Sequence, residues 1–251
     1  MSREPARPVQ NVLSRPARQA TATSLSAACF AVLAMLSAGC SVGEGNGQVT
    51  SENLLVPDCW NGQFDLEPSF FAANPFENTV TLRIQRGTDS SEVSDGVLIL
   101  LQDVERIREE LLGQPIALGL PAGVSPPGFA LQSSGAPPLA SLVLYLNRTC
   151  HVQNRSLYAL DGTITFSALF SGDRNEDQSD DRLTAGSFQA TVVSPADLQL
   201  PGGDTDNTDS TDNQIVSESN PGLAYPAARA SELEGNFHFF FQRGSPGQPF
   251  P

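Results

Sequence analysis

The sequence predicts an all-β protein, an antiparallel β-sandwich of about eight to ten strands with one short connector helix. Apolar and polar residues alternate with a period of two in several segments, which is typical of strands with one face on a core. Glycine and proline recur between these segments, as expected of turns. The alternating segments are 79–85, 141–147, 163–170, 187–192 and 236–242.

Two apolar runs and one helical stripe complete the predicted elements. Residues 97–101 form a continuous apolar run, which favours a strand covered on both faces, and 116–120 is a shorter candidate. The apolar residues of 104–112 recur at helical spacing. Asp103 is the candidate N-cap of this helix, and Gly113 marks its end.

Two segments lack periodicity. Residues 121–138 are rich in proline, glycine and serine, which predicts a surface loop. Residues 201–221 are acidic and of low complexity, so they bury too little apolar area to offset the entropy of ordering, and we expect disorder. The strand-like segments on either side of 201–221 are too short to stand alone. Residues 54–251 are therefore predicted to form a single domain.

The first 39 residues have the composition of a signal peptide. Residues 25–36 are small, apolar and uncharged, and they are too few to span a membrane, which takes about 20 residues. They follow a basic region that contains Arg3, Arg7, Arg15 and Arg18.

The run Leu36-Ser37-Ala38-Gly39-Cys40 ends this leader and resembles the lipobox of bacterial lipoproteins. The resemblance implies cleavage before Cys40 and a diacylglycerol on its thiol, which would join the chain to a membrane. Lipoproteins retained at the inner membrane often carry Asp next, so Ser41 favours the outer membrane. The glycine-rich residues 40–53 are expected to be a lipidated cysteine and flexible tether. The alternative is an ordinary secretory signal with a chance cysteine.

The charge balance excludes several functions. The chain has a net charge of −14 and no lysine, and removal of 1–39 would make the charge about −17. Such a surface repels nucleic acid, so we expect no nucleic-acid partner. The absence of lysine also excludes a Schiff-base lysine, a Walker lysine and a Ser-x-x-Lys nucleophile pair.

The four cysteines divide by position. Cys29 lies in the leader and Cys40 is the predicted lipid site, which leaves Cys59 and Cys150. In an oxidising compartment these two predict one disulfide. The alternatives are two buried thiols, or a weak metal site with His151, which would be short of ligands.

One acidic stretch is a candidate calcium site. The oxygen-bearing side chains of Asp173, Asn175, Asp177 and Asp181 alternate like the ligands of calcium loops. Gln178 stands where that family has glycine. The alternative is a solvated acidic turn, and the same choice applies to the aspartates of 204–212. Calcium is the only cofactor that the sequence suggests.

No catalytic residue is predicted. The chain lacks G-x-S-x-G, H-E-x-x-H and C-x-x-C motifs. His151 and His238 are the only histidines, without a recognisable partner motif, and we expect both to be structural. Trp60 is expected to pack against the disulfide. These observations favour a protein that is not an enzyme.

Several stretches, including Asp58-Cys59-Trp60-Asn61-Gly62 and Phe239-Phe240-Phe241-Gln242-Arg243-Gly244, resemble uncharacterised predicted lipoproteins of high-GC Gram-negative bacteria. This resemblance implies no activity. We therefore expect a lipid-anchored protein of the cell envelope at the outer membrane, with a non-enzymatic binding or structural role. Its partners would be the membrane, through Cys40, and an envelope protein or glycan. The alternatives are a carbohydrate- or ligand-binding module assisted by calcium, and a hydrolase with a site built from distant residues.

Overall fold

The computed structural model describes residues 41–89, 92–124, 137–152, 155–171, 183–201 and 214–241. All of them belong to one compact unit, Gly39–Pro251. The elements of the described part are β1 Ser41–Val56, β2 Trp60–Leu66, β3 Phe70–Phe76, β4 Thr79–Gln85, β5 Asp95–Leu101, α1 Val104–Glu110, β6 Pro115–Ala117, β7 Ala140–Leu146, β8 Arg155–Ser171, β9 Leu183–Val193, β10 Gln214–Val216, β11 Ala224–Pro226 and β12 Ser231–Phe241.

The main sheet is antiparallel and closes on itself. Its strand order is β12-β9-β8-β7-β5-β4-β3-β1, and β1 pairs again with β12, which makes an eight-stranded barrel. The prediction of an antiparallel all-β fold is confirmed, but the prediction of a sandwich is wrong. A period of two gives one apolar face in either architecture, so the pattern alone does not distinguish two packed sheets from one closed sheet.

Closure depends on the length of β1. Its first residues, Ser41 to Gly43, pair with β3, and Gly43 to Thr50 pair with β12. From Val49 onward the strand also pairs with β2 in a hairpin. One long strand thus joins both edges of the sheet.

The barrel interior is a packed apolar core. Each of the eight strands contributes to one cluster of buried side chains, and the largest fully buried ones are Phe71, Phe166, Phe170 and Phe239. An eight-stranded barrel has an interior just wide enough for side chains or one small ligand, and here apolar side chains occupy it. Contacts with other molecules are therefore available on the outer face and at the ends of the barrel.

The expected flexible tether is part of the barrel wall. The tether was predicted over residues 40–53, but residues 41–53 lie within β1. In the pairing with β12, Gly45 is opposite Phe239 and Gly47 is opposite Phe237. The Phe239 ring also stacks on Phe71 with 5.2 Å between centroids. The glycines that suggested flexibility instead leave room for large aromatic rings beside the backbone of β1.

The predicted connector helix is confirmed as α1. Val104 and Ile107 are buried in the barrel core. The side chain of Asp103 does not cap this helix, contrary to the prediction, because its carboxylate accepts a hydrogen bond from the Asn78 side chain at 2.9 Å. Asn78 Oδ1 accepts instead from the backbone N–H of Glu105 at 3.1 Å. The cap therefore comes from the β3–β4 turn.

The predicted disulfide between Cys59 and Cys150 is confirmed, with 5.6 Å between the Cα atoms. It joins the β1–β2 turn to the loop after β7. The buried Asp95 holds the same loop, because its carboxylate accepts hydrogen bonds from the backbone N–H groups of Arg148 and Thr149 at 2.9 and 3.0 Å. The Thr149 hydroxyl donates a third hydrogen bond to it, at 2.6 Å.

Other predictions fall partly or wholly outside the described residues. These include the leader, Cys40, the candidate calcium ligands Asp173, Asn175, Asp177 and Asp181, and the aspartates of 204–212. The disorder expected over 201–221 is wrong for Gln214–Val216, which form β10 and pair with β11. In the described residues, no helix is both long enough and apolar enough to cross a membrane.

Candidate functional site

The outer face of β8, β9, β12 and β1 is polar. The strand registers align Thr163, Gln189, Glu234 and Thr50 in one cross-strand row. A second row contains Thr165, Ser187, Asn236 and Gln48. These residues alternate with the inward apolar ones and line a shallow groove of about 450 Å³. This face offers hydroxyl, amide and carboxylate groups at the spacing of neighbouring strands.

A deeper cleft of about 810 Å³ lies next to this groove and shares Thr50 and Glu234 with it. One side consists of the outer face of β1, β9 and β12, and the other consists of residues from β10, β11 and the turn Ala227–Arg229. We call it the β10–β11 cleft. Its volume lies in the range of small-molecule sites.

The second wall of the cleft is fixed to the barrel by a separate apolar cluster. Leu160 and Val193 from the barrel pack there with Leu198, Leu223 and Tyr225. Burial of these side chains keeps the segment that carries β11 in place against the outer face.

Asp161 on β8 adds polar links to the same wall. Its carboxylate accepts hydrogen bonds from the Ser217 hydroxyl and the Ser219 backbone N–H, both at 2.9 Å. The Tyr225 hydroxyl donates to the other carboxylate oxygen at 3.3 Å. Burial, together with the negative charges of Asp161, Glu232 and Glu218, raises the pKa of Tyr225 to about 12. The cleft therefore has one tightly held wall and a negative potential.

Three glutamates line the cleft: Glu52, Glu232 and Glu234. Glu232 accepts a hydrogen bond from the Thr191 hydroxyl at 2.9 Å. Glu234 accepts from the Gln189 side-chain amide at 3.2 Å. These contacts orient both carboxylates and use one oxygen of each.

No arginine lines the cleft in the described part of the chain, and the salt bridges Arg106–Glu110 and Arg155–Asp58 lie elsewhere. Glu52, Glu232 and Glu234 are all exposed to solvent. The three carboxylates therefore give this face a negative charge.

Ser51 and the residues after it are irregular within β1. The pairing with β2 shifts register between Ser51 and Leu54, a β-bulge that releases Glu52 and Asn53 from the ladder. Ser51 pairs with the core residue Phe64 and lies two residues after the buried Val49, so its side chain faces the barrel interior rather than the cleft. Its Oγ has no hydrogen-bond partner among the described residues.

The described lining of the cleft contains carboxylate, hydroxyl and amide groups and no histidine or cysteine. The carboxylates of Glu232 and Glu234 accept hydrogen bonds from neighbouring side chains. In the described ranges, no group of three His, Cys, Asp or Glu side chains is placed to hold a metal ion. The lining instead combines acceptor oxygens with apolar surface from Ile215, Tyr225, Ala227 and Ala230.

The aromatic and histidine residues that the sequence offered as site candidates lie apart from one another in the structure. Trp60, predicted to pack against the disulfide, is 37% exposed and meets Phe64 edge to face. His151 is exposed in the loop after the disulfide, and His238 lies on the outer face of β12 beside Phe240. Tyr145 is buried, donates to Gln85 at 2.7 Å, and burial raises its pKa to about 12. These side chains do not form a common platform.

Sequence reasoning missed the three glutamates of the cleft. The predicted strand covered 236–242, whereas β12 begins at Ser231. A usable pattern was present, since Glu232 and Glu234 flank the buried Leu233 and continue the period of two. The wall opposite them had no such pattern, because it comes from β10, within the segment expected to be disordered, and from the three-residue strand β11 and the turn after it.

Comparison of this chain with protein-family models, curated proteins and solved structures yields no match.

Proposed function

We propose that this protein is a lipid-anchored lipoprotein of the cell envelope, at the outer membrane, and that it acts by non-enzymatic binding of a ligand in the β10–β11 cleft. The leader and the lipobox ending at Cys40 support the anchor. The disulfide between Cys59 and Cys150 supports an oxidising compartment. Among the described residues, we recognise no arrangement of side chains that would support catalysis.

The cleft carries the binding part of the proposal. It lies between the outer face of the barrel and the segment that the apolar cluster around Tyr225 holds in place, and its lining includes the carboxylates of Glu52, Glu232 and Glu234. Polar groups held in place before a ligand arrives lower the entropic cost of binding.

The carbohydrate alternative has weaker support. Sugar-binding modules present aromatic platforms, whereas Trp60, Tyr145, Tyr158 and Tyr225 lie in separate places here. Calcium assistance stays a prediction that concerns Asp173, Asn175, Asp177 and Asp181.

The anchor would act at short range. Because β1 begins at Ser41, a lipid on Cys40 would hold the barrel wall close to the membrane rather than at the end of a flexible spacer. A Cys40→Ser chain should lose palmitate labelling and membrane retention. Continued membrane association of that variant would refute the lipid anchor.

A pair of tryptophan substitutions tests the cleft. Ala227 lines the cleft, whereas the neighbouring Ala228 is exposed and does not line it, so Ala227→Trp fills the cleft and Ala228→Trp serves as the matched control. The full chain in detergent would be mixed with cell-envelope extract below about 1 kDa and examined by native mass spectrometry.

We expect a small-molecule adduct on the natural chain and on Ala228→Trp, and its loss from Ala227→Trp. An adduct retained by Ala227→Trp, or absent from the natural chain, would count against the cleft as the binding site.

A further inference from the structure

We propose that one end of the barrel docks on the lipid surface that holds the anchor, with the ring of Phe76 inserted among the lipid headgroups. This inference rests on the lipid anchor at Cys40 proposed above, and it adds the surface by which the folded domain meets the membrane. It follows from where β1 begins, how far the β3–β4 turn extends and which side chains lie exposed there.

The anchor end is the end of the barrel at which β1 begins. Ser41, the residue after the predicted lipid site, opens β1 and pairs with Ala73 of β3. Because neighbouring strands are antiparallel, β3, β5 and β12 all finish at this end. The helix α1 follows β5, so it lies at the same end, where Val104 and Ile107 pack into the core.

The β3–β4 turn extends past the first residue of β1. After Ala73, the strand β3 continues to Phe76 in its pairing with β4. At about 3.4 Å per residue, Phe76 is about 10 Å further along the strand than Ser41, or about 7–8 Å along the barrel axis at the usual strand tilt of about 40°. Cys40 adds one residue, which spans at most about 3.6 Å. A lipid on Cys40 would therefore bring the β3–β4 turn against the headgroups.

The anchor end exposes large apolar side chains. Phe76 is 71% exposed, Leu112, just after α1, is 40% exposed, and Phe240, near the end of β12, is 38% exposed. Apolar side chains beside a lipid anchor gain free energy when they leave water for the boundary between headgroups and acyl chains. Aromatic side chains with a polar group are enriched at that depth, so a bilayer surface suits this end of the barrel.

The turn that carries Phe76 is fixed. The Thr79 hydroxyl donates a hydrogen bond to the carbonyl oxygen of Phe76 at 2.7 Å. The backbone N–H of Val104 donates to the carbonyl oxygen of Asn78 at 3.1 Å. These contacts hold the backbone while the ring lies in solvent, so little order is lost when the ring enters lipid.

The charge of the chain narrows the class of lipid. The net charge is −14, and the exposed Glu77 is the residue after Phe76. Anionic headgroups would repel such a surface. The contact that we propose is therefore apolar, and its occupant is a surface of zwitterionic phospholipid.

The opposite end of the barrel provides a matched control. The disulfide between Cys59 and Cys150 joins two of its loops. This end also exposes apolar side chains, among them Trp60 at 37% and Val152 at 81%. Exposure alone does not distinguish the two ends, whereas the position of the anchor does, because β1 begins at one end and reaches the β1–β2 turn at the other.

Single-tryptophan reporters test the inference. Trp60 is the only tryptophan of the chain, so Trp60→Phe gives a background for Phe76→Trp and Leu112→Trp at the anchor end and for Val152→Trp at the opposite end. The full chains, expressed with the leader and purified from the cell envelope in detergent, would be reconstituted into phosphatidylcholine vesicles. Some of these lipids carry bromine in the upper part of the acyl chains. Bromine quenches tryptophan fluorescence only at close contact, so quenching reports insertion.

We expect several-fold stronger quenching for Phe76→Trp than for Val152→Trp, with Leu112→Trp between them, because the anchor end faces the lipid. Adding Phe76→Ser to the Leu112→Trp chain should reduce its quenching, since the end then lies less deeply. Equal quenching of Phe76→Trp and Val152→Trp, or quenching of neither, in chains bound to vesicles would overturn the inference.

The anchor and the docking surface fail in different ways. Palmitate labelling and flotation with the vesicles report on the anchor independently of fluorescence. Chains that carry palmitate and float, but show no quenching for Phe76→Trp, would refute the docking surface and leave the anchor standing. Chains that neither carry palmitate nor float would refute both. Circular dichroism and the melting temperature of each variant confirm that it is folded before reconstitution.

Discussion

The substitution Gly45→Ala tests whether the residues after Cys40 belong to the barrel wall. Gly45 pairs with Phe239 across the β1–β12 seam. A Cβ atom built on Gly45 would overlap the carbonyl oxygen of His238 and the Cα and Cβ atoms of Phe239. Because two of these three atoms are backbone, a side-chain rotation does not relieve the overlap and β1 must move away from β12.

The expected cost follows from two effects. Inserting a methyl group where there is no room costs about 1–3 kcal/mol. Displacing β1 also weakens the contact between Phe71 and Phe239, whose centroids are 5.2 Å apart, and such aromatic pairs contribute about 0.5–1.5 kcal/mol. The free energy of unfolding should therefore fall by about 2–4 kcal/mol, which for a domain of this size lowers Tm by about 5–15 °C.

Urea denaturation followed by circular dichroism measures this change on the full chain in detergent. Gly222→Ala is the control, because a Cβ atom there meets nothing within 4 Å and should change stability by less than about 1 kcal/mol. If residues 41–53 were a flexible tether, Gly45→Ala would change stability by no more than about 0.5 kcal/mol. That result would refute the closure of the barrel through β1.

Three further predictions concern the fold. Replacing both Cys59 and Cys150 by alanine removes a disulfide with a sequence separation of 91, so the free energy of unfolding should fall by about 4–5 kcal/mol. Urea denaturation measures this change, and an unchanged midpoint would contradict the stabilising role of the disulfide. Asp95→Ala leaves three donors without their acceptor and should cost about 2–4 kcal/mol in the same assay, whereas a loss below about 0.5 kcal/mol would show that water replaces the carboxylate. The raised pKa values of Tyr145 and Tyr225, both about 12, stabilise the folded state fully below pH 10, the ordinary tyrosine value, and this contribution is lost as the pH rises toward 12. Absorbance at about 295 nm should show two of the three tyrosines ionising near pH 12 or on unfolding, and ionisation of all three near pH 10 in a folded protein would disprove the burial.

Much of the fold was predictable because strands leave a local pattern. The segments predicted at 79–85 and 141–147 agree with β4 and β7 to within about one residue at either end, and the helix α1 lies within the predicted 104–112. The pairing of Cys59 with Cys150 followed from a count of the cysteines once the leader was set aside. Each of these inferences needs only neighbouring residues or a residue count.

The candidate site was not predictable for the opposite reason. Glu52, Glu232 and Glu234 come from strands far apart in the sequence, and the cleft exists only because β10 and β11 pack on the outer face. Such a site arises from register and packing, which a local pattern does not encode.

The sequence by itself determined the β-rich composition, the apolar and polar faces of the strands and the cysteine pairing, since these depend on residue type, short-range spacing and a count of the cysteines. Only the tertiary structure decided that the sheet closes into a barrel and that the glycine-rich residues 41–53 are part of its wall. The physical reason is that closure depends on hydrogen bonds between β1 and β12, about 190 residues apart, and on Phe237 and Phe239 packing opposite the glycines of β1. Alternation along each strand is the same whether those bonds form or not.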